Sequence, residues 1–193
     1  MYVFYVPWTA AVLILHICSV KYTTERAEKL LKEPYTPLPD IMQEILPILD
    51  IRIPDKLLFS TTLYTIIHLI WYQNMIIFNQ QLLIVLIAFS IRPFFCCLTT
   101  LPASLPKLES NLIYDKYFIS NHDLMFSGHT CFFLFMGNNI NNTYIRFIIS
   151  YIFPLTLIMS KLHYSIDIFV SMFIYNYIDL YIKTKFDNFC LID

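Results

Sequence analysis

Glycine is almost missing from this chain, with 2 among 193 residues, and charge is thin, with Asp, Glu, Lys and Arg together at 14%. So few charges cannot solvate the surface of an ordinary soluble domain. The net charge of −1 offers no basic excess to a polyanion, so nucleic acid is excluded as a general partner. No cysteine pair has CxxC spacing. Cys18, Cys96, Cys97, Cys131 and Cys190 lie mostly in apolar stretches and read as small buried hydrophobes in preference to disulfides or metal ligands. No internal repeat is present, and no stretch has room for a second soluble domain.

What the chain has is oil: 58% hydrophobic residues and a mean hydropathy of +0.60. The expected class is an all-α polytopic membrane protein, a single membrane-embedded catalytic domain over residues 1–193. About six stretches approach the ~20 residues that a helix needs to cross a bilayer. They run over 2–20, 57–78, 82–100, 124–140, 144–160 and 166–182. The first lacks a basic leader and an A-x-A site and reads as a retained anchor. The second is interrupted by Tyr64, His68 and Gln73, and the fourth is strongly apolar only in its C-terminal half. Polar segments fill 21–56 and 101–123, while GNNINNT at 137–143 reads as a hairpin turn. With six spans, the loops 21–56, 101–123 and 161–165 share one side of the membrane. The loops near 79–81 and 137–143 take the other side.

Two polar islands sit in the first group, DLMFSGHT at 123–130 and LHYSID at 162–167. His163 and Asp167 are four apart, so on a helix they share a face. A carboxylate there fixes the imidazole tautomer and leaves the other nitrogen as a nucleophile; the bland alternative is an interfacial His with a cap-like Asp. SGHT places His129 at an expected helix start. There Ser127, Thr130 and the first N–H groups offer a cradle for phosphate oxygens. One histidine can then attack phosphorus while the other protonates the leaving oxygen. A zinc site from His129, His163 and an Asp is a lesser alternative, since no short-spaced ligand pair accompanies them.

Four blocks in series resemble the sphingomyelin synthase family of the lipid phosphatase/phosphotransferase superfamily, over nearly the whole chain. They are PLPD at 37–40, Arg92 followed by TTLP at 99–102, DLMFSGHT at 123–130, and HYSID at 163–167. The resemblance implies a catalytic triad of His129, His163 and Asp167. It also implies the reaction: a phosphocholine or phosphoethanolamine head group moves from phosphatidylcholine or phosphatidylethanolamine to ceramide, releasing diacylglycerol, without metal or cofactor. His163 is the expected nucleophile and His129 the acid and then base. Arg92 is expected at phosphate, with snorkelling to the interface as its alternative. Asp123 orients the loop, meets the head-group amine, or caps a helix. Where the family usually has Cys-Gly-Asp, this chain has Asn121-His122-Asp123, which bears on head-group or acceptor choice.

Phosphatases of the superfamily carry Pro before SGH and Arg six residues before the second His; here those positions hold Phe126 and Leu157. A phospholipase C-like hydrolase and a non-catalytic lipid-binding scaffold are the rival readings. Orientation divides two arguments. Lys21, Arg26, Lys29, Lys32, Arg52 and Lys56 lie on the motif side, against Arg146, Lys183 and Lys185 opposite, so the positive-inside rule puts the site in the cytosol. The resemblance implies an exoplasmic site at the Golgi or plasma membrane, and that is the expectation adopted.

Overall fold

A computed structural model describes residues 2–30, 36–72, 75–99, 101–102 and 125–190. Every regular element among them is helical. We number them α1 (Tyr2–Leu30), α2 (Ile41–Ile45), α3 (Ile53–Tyr72), α4 (Met75–Leu98), α5 (Gly128–Asn138), α6 (Thr143–Phe147), α7 (Leu155–Met159) and α8 (Ser165–Cys190), with a π-helical turn at Ile148–Ile152 joining α6 to α7. Asp123, Asn121, His122, Gln73 and Lys32 lie outside the described residues.

Three helical segments, Val6–Leu30, Met75–Leu98 and Ser165–Lys185, are long and apolar enough to cross a membrane. The exterior is far more apolar than that of a soluble protein, and several polar groups lie inside. Thr23, Gln81, Arg92, Asp167 and Ser171 are buried, while Phe59, Ile70, Trp71, Phe173 and Leu180 point outward. That pattern suits a lipid surround, where the apolar exterior costs nothing and the polar groups must pair internally.

Several boundaries differ from the sequence expectation: residues 21–30, expected as loop, continue α1, the same expected loop holds α2 and the start of α3, and α8 runs past 182 to Cys190. Met75–Phe78 belong to α4 and not to the second apolar stretch, because α3 stops at Tyr72. Asn79–Gln81, expected as a loop, continue the helix. Helix is tolerated there because buried Gln81 finds partners: its Nε2 donates to Asp179 Oδ1 at 2.9 Å, and its Oε1 accepts from Tyr175 Oη at 2.8 Å and Asn138 Nδ2 at 3.3 Å. Lys183 Nζ closes this cluster on Asp179 Oδ2 at 2.7 Å.

The helix ends sort into two groups. The Gln81 cluster joins the first two turns of α4 to the end of α5 and the middle of α8. At the opposite end, Arg26 Nη1 of α1 donates to the Cys97 carbonyl of α4 at 2.7 Å, and the starts of α3, α5 and α8 meet (below). The expected GNNINNT turn does reverse the chain, with Asn142 Oδ1 capping α6. There Gly137 lets the π-helical turn approach: a Cβ would collide with Ser150 Oγ and sit 3.2 Å from the Arg146 carbonyl. Apolar side chains from α4, α5 and α8, among them Ile84, Ala88, Phe133, Leu134 and Ile168, fill the centre.

Candidate active site

The turn carrying His163 is built by local hydrogen bonding. After α7 the chain turns left-handed at Lys161 (φ 57°). Lys161 N–H donates to the Ile158 carbonyl at 2.9 Å and Leu162 N–H to the Leu157 carbonyl at 3.0 Å, the paired hydrogen bonds of a Schellman ending with lysine where glycine is usual. The reversal delivers His163 to the mouth of α8. Asp167, with no solvent exposure, accepts from Tyr164 N–H through Oδ2 at 3.0 Å, as the third helical residue does in a capping box. The same oxygen lies 3.3 Å from His163 Nδ1.

His129 is held one helix away. Ser127 Oγ caps α5 by accepting from Thr130 N–H at 3.2 Å, and Ser127 N–H donates to Ser171 Oγ at 2.7 Å. Ser171 Oγ in turn donates to the Asp167 carbonyl at 2.6 Å. This relay fixes the start of α5 against the first turns of α8. The rings of His129 and His163 face each other edge to face, with centroids 6.2 Å apart. His129 Nε2 also lies 3.4 Å from Asp55 Oδ1 in the first turn of α3.

The two other sequence blocks brace this pair. Asp40 caps α2 through Oδ1, and through Oδ2 accepts from Ser165 N–H at 2.6 Å. Gln43 Nε2 donates to the His163 carbonyl at 3.0 Å. Tyr164 Oη accepts from Leu38 N–H and donates to the Pro102 carbonyl, each at 3.0 Å, so PLPD and TTLP meet on HYSID. Burial chiefly raises the Tyr164 phenol above its usual range. The Leu38 N–H opposes this, and the negative charges of Asp167 and Asp40 add to it. The phenol therefore keeps its proton for Pro102 at neutral pH.

Of the residues expected from sequence, His129, His163 and Asp167 come together. Ser127 is fully buried, with its hydroxyl engaged as a helix cap. Arg92 is 6% exposed, its Nε donating to the Phe126 carbonyl at 3.0 Å and its Nη1 to His16 Nδ1 at 2.6 Å. These contacts tie Arg92 to α1 and to the approach to α5. Asp55, Gln43 and His16 were not foreseen. Among the described residues, no group of three or more His, Cys, Asp or Glu side chains is arranged to hold a metal. In comparisons with known proteins, no family model, curated protein or solved structure matches this chain.

Proposed function

We propose that this chain is a membrane phosphotransferase of the sphingomyelin synthase kind, one catalytic unit with six spans. They are α1, α3, α4, α5 with the residues just before it, the α6–π–α7 unit, and α8. α5 alone, at 11 residues, reaches only about 16 Å. It is flanked by α4 and α8 and supplies Cys131, Phe133 and Leu134 to the interior, so its backbone need not cross lipid unaided.

One observation carries the reading: two imidazoles 6.2 Å apart, one backed by a buried carboxylate. With its Nδ1 proton directed to Asp167, His163 attacks through Nε2 the phosphorus of phosphatidylcholine or phosphatidylethanolamine. A P–N bond forms and the P–O bond to diacylglycerol breaks. The departing oxygen takes a proton from His129. The primary hydroxyl of ceramide then gives its proton to His129 and attacks phosphorus, and the P–N bond breaks to restore His163. A diester carries a single negative charge, so a site with no cluster of cations among the described residues suits it better than a dianionic monoester. The site faces the exoplasmic side, in the Golgi lumen or at the cell exterior, and a glycan on Asn141, on the far face, would contradict that orientation.

The test is expression in cells lacking such enzymes, fed fluorescent ceramide, with the lipid products separated. A new phosphosphingolipid, absent with His163→Ala, supports the reading and identifies the head group. Diacylglycerol release that does not depend on ceramide would make the protein a hydrolase. A His163→Ala variant indistinguishable from the parent would make it a scaffold.

A further inference from the structure

We propose that Asp55 is the positioning carboxylate of His129, giving each imidazole its own acidic partner. The inference rests on the transfer reaction above and adds a residue to it. His163 has Asp167 at 3.3 Å from Nδ1; His129 has Asp55 at 3.4 Å from Nε2. The two pairs differ in setting. Asp167 is enclosed and built into a helix start, whereas the Asp55 side chain is 69% exposed, beside a His129 side chain that is 39% exposed. An open, adjustable partner suits a histidine that must gain and lose a proton in each cycle. An enclosed one suits a nucleophile whose tautomer must not change.

The segment leading to Asp55 is anchored. Leu49 N–H donates to the Met159 carbonyl at 3.0 Å, which ties the approach to α3 to the end of α7, next to the His163 turn. Asp50 then accepts from Arg52 N–H through Oδ1 at 2.8 Å and from Ile53 N–H through its carbonyl at 3.0 Å, starting α3. Leu57 and Leu58 seat that start on the core. Asp55 is thus delivered to His129 by the same framework that delivers His163.

The chemical consequence is specific. With Nε2 held by Asp55, His129 hands its proton to the leaving oxygen from Nδ1. A glycerol alkoxide needs that proton to leave; a thiolate does not. The test therefore compares two donors: phosphatidylcholine, and its phosphorothiolate analogue with sulfur in place of the bridging oxygen to diacylglycerol. The first-turnover burst of diacylglycerol or thiol product is followed in the full-length protein without ceramide, before His129 is needed again as a base. For Asp55→Asn we expect the burst rate at saturating oxygen donor to fall about tenfold to a hundredfold, part of what a positioned general acid contributes. KM should hold, and the sulfur donor should be almost unaffected. Asp55→Glu should recover part of the loss. Equal loss with both donors would make Asp55 structural, a rise in KM alone would assign it to the head-group cation, and no loss would leave it idle; each overturns the inference while the transfer reaction stands. A parent protein that uses neither donor would overturn both.

Discussion

Asp40 Oδ2 accepts the Ser165 backbone N–H at 2.6 Å across 125 positions of sequence, so the carboxylate that caps α2 also caps α8. The proline-rich segment before α2 thereby acts as a brace on the turn that presents His163.

Removing that brace should be costly. Asp40→Ala takes the cap from two helices, at about 1–2 kcal/mol, and should lower the unfolding temperature in detergent. Turnover should fall further than the stability loss alone explains, because the His163 turn loosens. Asp40→Asn, which keeps one acceptor oxygen, should fall between. Thermal unfolding and turnover measured on the same preparations check this.

Tyr164→Phe deletes a hydroxyl that serves both Leu38 and Pro102. Leaving those groups without a partner should cost about 1–3 kcal/mol at neutral pH. The sign of its pH dependence follows from the raised phenol. A group whose folded-state pKa is raised contributes fully below its unfolded value, near 10 for tyrosine, and loses that contribution as pH rises through the folded value. Parent and variant stabilities should therefore differ at pH 7 and converge only in strong alkali, measured by denaturation at both extremes.

Gly137→Ala places a methyl group against Ser150 and the Arg146 carbonyl. The helix pair must separate, at a cost of about 1–3 kcal/mol. Gly137→Ala with Ser150→Ala should recover only part of this, because the backbone contact persists. Unfolding temperatures of the single and double variants decide it.

Gln81→Leu removes the centre of the polar cluster at the other end of the bundle. A loss of about 1 kcal/mol is expected, with little change in KM, since the cluster is at the end opposite the histidines. A large KM effect would show that the two ends communicate.

The helical class and the pairing of His163 with Asp167 were legible because both are local. Apolar runs of near-spanning length announce helices, and a four-residue spacing puts His163 and Asp167 on one face. The misplaced break at Asn79–Gln81 has a non-local cause: Gln81 lies within a helix because Asp179 and Tyr175, far along the chain, satisfy it. Asp40, Gln43 and Asp55 come from a polar segment without periodicity, where nothing in the sequence separates a brace from a solvated charge. Arg92 illustrates the converse. Its charge suggested phosphate; its partners include the Phe126 carbonyl and His16, the latter invisible as a partner within an apolar first helix.

The central claim is that His163 carries the phospho-head group between two lipids. Incubating the protein with phosphatidylcholine labelled at phosphorus, without ceramide, then quenching in alkali and mapping the labelled peptide, tests it directly. An acid-labile label on His163 is expected, lost in His163→Ala and discharged when ceramide is added. A protein that makes product without ever carrying label, or that carries it on another residue, would contradict it.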